Sequence, residues 1–229
     1  MLTRRLSPRI RPIDALDPIA RFCSRHDLPW DDRRRGRFET YVDRIEKFDG
    51  SMNLVGAETR SEIVEDLLLD SLVPAALAPP DGSVLDVGTG AGLPGIPLAI
   101  LYPDLPFTLV EPRQDRSTFL KIARTRLELD RIAIERARIE DLPDATFDWV
   151  VSKAFRAPPE WLEVACRRVS DGGHIVCMTG EGGHDEVELA ADDLDLEPAA
   201  ACDDTADLGL PERDPSRGVY VLRRATGGD

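Results

Sequence analysis

The chain between Ser83 and Ile100 reads SVLDVGTGAGLPGIPLAI and contains four glycines within eight positions. A short apolar run reaches Asp86, and Gly88, Gly90 and Gly92 follow at alternate positions. Residues without a Cβ atom let the backbone turn sharply and approach a bound molecule closely. The pattern therefore predicts a turn between a strand and a helix that holds a nucleotide-like ligand.

Three ligands are common at such a turn: a nucleoside triphosphate, a nicotinamide dinucleotide and S-adenosylmethionine. The residues present are compatible with the last two. A nucleoside triphosphate loop is excluded, because no Gly-Lys-Ser/Thr sequence is present to reach phosphates and Mg²⁺. A nicotinamide dinucleotide stays open, since Gly90, Gly92 and Gly95 form GxGxxG and Glu111 ends the second predicted strand about 20 residues later.

Asp86 favours the other ligand, S-adenosylmethionine. A carboxylate beside the turn attracts an ammonium and a sulfonium and repels a pyrophosphate. Glu111 can accept both ribose hydroxyls, and the ARIEDL sequence after the third predicted strand offers groups for the adenine ring and its amine. The cofactor residues predicted on this basis are Asp86, Gly88, Thr89, Gly90, Gly92, Glu111, Ile139 and Glu140.

Apolar segments and amphipathic segments alternate around the glycine turn. They predict strands at 83–87, 106–110, 131–135, 147–152, 174–178 and 217–224, and helices near 94–102, 115–129, 158–168 and 184–193. This alternation predicts an α/β fold with a doubly wound, mostly parallel sheet. We expect the last strand to lie at the sheet edge.

The chain before Thr59 differs in composition. We expect a disordered basic tail over residues 1–13, a helical extension over 14–58 with helices near 14–27 and 31–48, and a cofactor-binding domain over 59–229. The first 40 residues carry ten arginines and six acidic residues, whereas the whole chain has a net charge of −14. This basic segment either contacts a polyanion or is a solvated surface, and the sequence leaves both open.

Composition excludes several classes of protein. No apolar run approaches the roughly 20 residues of a membrane-spanning helix, and the N-terminus lacks the apolar stretch of a signal peptide, so we expect a cytoplasmic protein. The four cysteines lie far apart without metal-ligand spacing, which predicts neither a metal site nor a disulfide. Nothing requires more than a monomer.

Four stretches occur in a characteristic order: NLVGAETRSEIVEDLLLDSL, DVGTGAGLPGIPLAI, VVSKAF and RGVYVLRR. Over residues 38–224 the chain resembles the ribosomal small-subunit methyltransferase G family, also called glucose-inhibited division protein B. The resemblance implies a Rossmann-like Class I methyltransferase fold. It also implies transfer of a methyl group from S-adenosylmethionine to N7 of one guanine in 16S rRNA, with that RNA or the small ribosomal subunit as partner.

The resemblance also implies roles for individual residues. Gly88, Leu93, Ile139 and Glu140 match the family's cofactor contacts. The residues implied at the methyl-transfer site are Lys153, which also contacts the cofactor, Asn53 as a second catalytic residue, and Arg217 on the substrate side. For Asn53 a structural role stays equally open, in which it caps a turn and positions the helix from Thr59. Phe155 either stacks on a base or packs in the core.

Three departures from the family pattern involve four positions. Asp66 and Leu67 stand where the family has an arginine and a histidine, Thr179 replaces a lysine, and Lys153 replaces an arginine and so lacks its planar fork. Two alternatives therefore stay open at this stage. One is a divergent methyltransferase acting on a small molecule or a protein, and the other is a cofactor-binding module without turnover.

Overall fold

The computed structural model describes residues 15–52, 54–180, 183–211 and 217–226 as an α/β fold built on one seven-stranded sheet. The strands are β1 (Val84–Val87), β2 (Phe107–Val110), β3 (Ile132–Glu135), β4 (Phe147–Lys153), β5 (Val169–Thr179), β6 (Leu196–Cys202) and β7 (Gly218–Arg224). Their order is β3-β2-β1-β4-β5-β7-β6, with β7 antiparallel to both of its neighbours. The doubly wound, mostly parallel sheet predicted from the sequence is confirmed.

Helices cover both faces of the sheet. They are α1 (Asp17–Arg25), α2 (Asp32–Met52), α3 (Arg60–Glu62), α4 (Leu69–Leu77), α5 (Gly95–Leu101), α6 (Gln114–Arg126), α7 (Pro158–Cys166) and α8 (Gly183–Asp193). One core cluster joins α1, α2, α4, α5 and α6 to one face, and a second joins α7 and α8 to the other. Among the described residues, no helix is both long and apolar enough to cross a bilayer.

The order of the strands places the ligand crevice at β1. The chain passes from β1 to β2 on one side and later returns to β4 on the other, so that Asp86 pairs with Leu109 of β2 and Val151 of β4. In open α/β sheets, ligands bind at the carboxyl ends of the strands where the order reverses in this way. The glycine turn follows β1 at that point.

One strand was missed, and its position corrects another prediction. The sequence LEPAAAC of β6 contains a proline and three alanines, residues depleted in strands, and it forms the sheet edge where a proline is tolerated. The final strand β7 is therefore interior and does not lie at the edge as expected. β5 is also longer than predicted, because it starts at Val169.

The N-terminal part of the described chain packs on the sheet domain. The two predicted helices are present as α1 and α2, and a capping box of Thr59 and Glu62 starts α3. The expected tail over residues 1–13 lies outside the described residues, and the division of the chain at residue 59 stays a prediction.

Tyr41 connects α2 to the glycine turn. Its side chain is fully buried, and its hydroxyl donates a hydrogen bond to the carbonyl oxygen of Ala91 at 2.7 Å. Burial raises the pKa of Tyr41 well above its usual value, so the hydroxyl stays a donor. The helical extension thus supports the turn from outside the sheet.

We predict that Tyr41→Phe lowers the free energy of unfolding by about 1–2 kcal/mol, because the buried carbonyl of Ala91 loses its donor. Urea denaturation measures the loss. Tyr102→Phe is the matched control, since the Tyr102 hydroxyl makes no hydrogen bond within the described part of the chain and is only half-buried. Equal losses in the two variants would contradict the role assigned to Tyr41.

Candidate active site

Asp86 supports the glycine turn from beneath. Its Oδ2 accepts hydrogen bonds from the backbone N–H of Gly95 at 2.8 Å and from the hydroxyl of Thr89 at 2.6 Å. The side chain is inaccessible to solvent, and Oδ1 has no hydrogen-bond partner among the described residues. Burial raises the pKa of Asp86 to about 7, because the charged form loses its hydration.

The glycines of the turn serve different purposes. A Cβ atom at Gly88 would lie 2.6 Å from the Phe155 ring, and one at Gly92 would lie 2.5 Å from Ile96. Neighbouring side chains therefore occupy the space that a side chain would need at these two positions. Gly90 has a φ of +59°, and a Cβ there would meet nothing closer than a guanidinium nitrogen of Arg116 at 3.6 Å. Gly90 is therefore the glycine whose missing side chain leaves open space above the turn.

Glu111 lies directly beside that space. The side chain is 3% exposed, Oε2 accepts a hydrogen bond from the Gly90 N–H at 3.1 Å, and Oε1 accepts one from the Arg113 N–H at 2.8 Å. Both carboxylate oxygens thus face backbone donors at the carboxyl end of β2, which is the position predicted for a ribose contact.

A first cavity of about 420 Å³ opens in front of the turn, and we call it the cofactor cavity. Its lining includes Gly88, Ile139, Glu140, Phe155 and Arg156. The Arg156 guanidinium pairs with the Glu140 carboxylate and lies 4.8 Å above the centre of the Phe155 ring. Phe155 therefore lines the cofactor cavity, and it also packs against the second core cluster, which is the packing role that the sequence left open.

A second cavity of about 410 Å³ adjoins it, and we call it the acceptor cavity. Asp70, Lys153, Thr179 and Arg217 are among its lining residues, and Arg156 lines both cavities. The Asp70 carboxylate, whose side chain is 2% exposed, accepts from Lys153 Nζ at 2.7 Å and from Arg217 Nη1 at 2.9 Å. Two cations held by one carboxylate leave the cluster with a positive charge.

An irregular helix contributes backbone groups to the same cavity. Between α3 and α4 the segment Ile63–Leu68 is a π-helix, a wider helix with i→i+5 hydrogen bonds that often occurs at functional sites. The Leu67 carbonyl accepts from Lys153 Nζ at 3.4 Å, and the Asp66 carbonyl accepts from Arg217 Nη1 at 3.3 Å. The helix therefore helps to position both cations.

Comparison with known proteins decides the family of this chain. Residues 34–202 match the family described as GidB, rRNA small subunit methyltransferase G. A ribosomal RNA small subunit methyltransferase G of Syntrophus aciditrophicus (strain SB) is 34% identical over 227 residues, which cover 93% of each chain. The chain belongs to the rRNA small subunit methyltransferase G family. A relative of the same name from Cellvibrio japonicus (strain Ueda107) is 33% identical over 84% of this chain and 87% of its own.

Solved structures confirm the Class I methyltransferase fold. Ribosomal protein L11 methylase of Lactobacillus delbrueckii subsp. bulgaricus aligns with a TM-score of 0.56 at 13% identity, covering 70% of this chain and 79% of its own. The TYW2 protein of P. horikoshii, crystallised with MeSAdo, aligns with a TM-score of 0.55 at 17% identity, covering 69% and 62%. At these identities the likeness concerns the fold alone.

This member of the family is an S-adenosylmethionine-dependent methyltransferase, and its residues fit that cofactor. The open space at Gly90, the apolar face of Phe155 and the partly buried cation Lys153 suit a backbone contact, an adenine ring and a carboxylate respectively. Two other predicted cofactor residues, Thr89 and Leu93, lie beneath the turn: Thr89 is 2% exposed, and Leu93 packs against the core.

The predicted site residues fall into three groups, with Asn53 apart. The first group forms or supports the glycine turn and is not among the lining residues of either cavity: Asp86, Thr89, Gly90, Gly92, Leu93 and Glu111. Gly88, Ile139, Glu140 and Phe155 meet in the cofactor cavity, whereas Lys153 and Arg217 meet in the acceptor cavity. Asn53, predicted as catalytic, lies outside the described residues. Asp70 was not among the predicted site residues, although it holds the two cations together, since a carboxylate within an apolar helix face gives no sign of partners far along the chain.

We predict that Asp86 makes stability depend on pH between about 4 and 7. A carboxyl whose folded pKa is raised stabilises the fold fully below its unfolded pKa of 3.8, and this contribution is lost as the pH rises through about 7. Relative to Asp86→Asn, the free energy of unfolding of the unmodified protein should fall by on the order of 2–3 kcal/mol from pH 5 to pH 8. Chemical denaturation at both pH values measures this difference, and a constant difference would contradict it.

We predict that Gly90→Asp weakens binding of S-adenosylmethionine more than tenfold, because the new carboxylate fills the open space beside Glu111. Isothermal titration calorimetry measures the affinity. Gly56→Asp is the matched control, since Gly56 also has a positive φ, +67°, with nothing within 4 Å of its missing Cβ. Equal affinities of the two variants would place the cofactor elsewhere.

Proposed function

We propose that this methyltransferase transfers a methyl group from S-adenosylmethionine to N7 of one guanine in 16S rRNA. The observation that carries the proposal is the cationic cluster of Lys153 and Arg217 on Asp70, which lines a cavity next to the cofactor cavity. A positive cluster suits the phosphate groups of a nucleic acid. The named family relatives support an rRNA substrate.

We propose that the cofactor lies across the glycine turn. Ile139 and Phe155 enclose the adenine, Glu111 accepts the ribose hydroxyls, and the backbone at Gly90 approaches the cofactor closely. Lys153 faces the amino-acid end, where its ammonium neutralises a carboxylate. When bound, S-adenosylmethionine supplies an electrophilic methyl group at the boundary between the two cavities.

The chemistry requires no general base from the protein. Guanine N7 carries an in-plane lone pair and no proton, so no proton has to be removed before the methyl group is transferred. The buried carboxylate in the acceptor cavity, Asp70, has its Oδ2 occupied by contacts with Lys153 and Arg217. We assign one role to Lys153 and to Asn53, the second catalytic residue. They hold the reacting atoms in line and exclude water.

Among the ten arginines in the first 40 residues, Arg34, Arg35 and Arg37 have structural partners. Arg34 donates to the Leu101 carbonyl, Arg35 pairs with Glu39, and Arg37 donates to the Glu128 carbonyl with 8% of the residue exposed. Arg34 and Arg37 thus connect α2 to the ends of α5 and α6, whereas Arg35 pairs within α2. Arg217 and Lys153 are therefore the cations that we assign to the acceptor side, on a chain whose net charge of −14 repels nucleic acid elsewhere.

The partner proposed for this site is 16S rRNA, free or in the small ribosomal subunit. Such a partner places the enzyme in the cytoplasm. Described residues of one chain line both cavities, and we propose that the monomer is the working form.

The proposal is tested by incubating the protein and labelled S-adenosylmethionine with unmethylated 16S rRNA and, separately, with small subunits. Nucleosides from the digested RNA are identified by mass spectrometry. Labelled 7-methylguanosine at one position supports the proposal. Label in another nucleoside, or no label from protein that binds the cofactor, contradicts it and directs the search to a protein or small-molecule acceptor.

We predict that Lys153→Ala lowers kcat on the RNA at least tenfold and weakens cofactor binding much less, because Lys153 lines the acceptor cavity, is held there by Asp70 and orients the reacting groups. Steady-state kinetics and calorimetry measure the two quantities. Arg223→Ala, on β7 away from both cavities, is the control and should behave as the unmodified enzyme. An unchanged kcat for Lys153→Ala would remove Lys153 from the site.

A further inference from the structure

The loop after β3 is a thin wall between two cavities. Residues 139–143, which we call the adenine loop, contain the short 3₁₀ turn Ile139–Asp141. The cofactor cavity lies in front of the loop, and a separate cavity of about 240 Å³ lies behind it. Ile139 and Glu140 line both cavities, so the loop has space on each side and needs a support.

That support is the guanidinium of Arg168. Its Nη2 donates to the carbonyl oxygens of Ile139 at 2.9 Å and Leu142 at 3.2 Å, and its Nη1 donates to that of Pro143 at 2.7 Å. The residue is 8% exposed, and its guanidinium pairs with no carboxylate in the part of the chain that the structure describes. A buried cation that is satisfied by carbonyl oxygens fixes the backbone that carries them.

The backbone of Arg168 is itself fixed. Its N–H donates to the Ala165 carbonyl at the end of α7 at 2.9 Å, and its carbonyl accepts from the N–H of Phe147 at the start of β4 at 2.8 Å. The side chain therefore extends from a rigid junction of helix and sheet, passes beside the rear cavity and reaches the adenine loop. Motion of the loop is limited by this connection.

We propose that Arg168 is a positioning residue for recognition of the adenine of the cofactor. By holding three carbonyls of the adenine loop, Arg168 keeps the loop at the distance from the glycine turn at which its backbone and Glu140 meet the adenine edge. Without the guanidinium, the loop moves toward the rear cavity and the contact with the adenine amine weakens. This inference rests on the cofactor site proposed above and does not involve the methyl acceptor.

The test compares Arg168→Met and Arg168→Lys with Arg167→Met. Arg167 is the matched control, because it is the exposed neighbour and its guanidinium makes no hydrogen bond or ion pair within the described ranges. The probes are S-adenosylhomocysteine and its deaminated analogue S-inosylhomocysteine, in which a carbonyl replaces the adenine amine. Calorimetry gives the Kd of each probe, and the ratio of the two Kd values reports recognition of the adenine edge.

In Arg168→Met we expect the Kd of S-adenosylhomocysteine to rise about tenfold and the preference for adenine to fall by a similar factor. Arg168→Lys should lie between this variant and the unmodified protein, and Arg167→Met should match the unmodified protein. A general loss of stability would leave the ratio of the two Kd values unchanged. A folded Arg168→Met with unchanged Kd and unchanged preference overturns the proposal.

Should Arg168→Met fail to fold, Arg168→Lys decides the question together with amide hydrogen exchange. Faster exchange at residues 139–143, with a reduced preference for adenine, supports the proposal. Unchanged exchange and unchanged preference overturn it. If the unmodified protein binds neither probe, the proposed cofactor site is wrong. If the unmodified protein binds both probes and the Arg168 variants bind them as the Arg167→Met control does, only the role proposed for Arg168 is wrong.

Discussion

The structure depends on one buried carboxylate at the point where the strand order reverses. Removing Asp86 from water is costly, and two hydrogen bonds, from the Gly95 N–H and the Thr89 hydroxyl, offset part of that cost. The same contact dictates sequence, because a Cβ atom at Gly95 would lie 2.6 Å from Asp86 Oδ2. The first turn of α5 can approach β1 only without a side chain there, and the position of the glycine turn follows from that approach.

The spacing of the glycines therefore has several physical causes. Gly95 accommodates Asp86 from below, Gly88 accommodates Phe155 from the side of the cofactor cavity, and Gly90 leaves space above the turn. The sequence also left a nicotinamide dinucleotide open as the ligand. Such a site would have the same glycines, but the acidic residues around them here do not suit its pyrophosphate. A pyrophosphate at the turn would lie close to two acidic side chains, Asp86 below the turn and Glu111 at the Gly90 N–H.

Much of the fold was predictable because its determinants are local, whereas the relationships within the site join distant parts of the chain. Apolar runs and capping residues mark strands and helices, so β1 to β4 and their crossover helices were expected. The strand β6 was missed because its alanines and proline carry no strand pattern. Asp70 and Arg217 are 147 positions apart, and no periodicity in either segment indicates that they form an ion pair.

The same long-range contacts explain how the acceptor cavity can form although Asp66 and Leu67 depart from the family pattern. The resemblance implies an arginine and a histidine where this chain has Asp66 and Leu67. The backbone carbonyls of Asp66 and Leu67 accept hydrogen bonds from Arg217 and Lys153. The π-helix brings these carbonyls into the cavity regardless of the side chains that the two positions carry. The positive charges are those of Lys153 at the end of β4 and Arg217 just before β7, and Asp70 holds both side chains in place. The substitutions thus alter the side chains of the helix but leave the backbone contacts that orient the two cations.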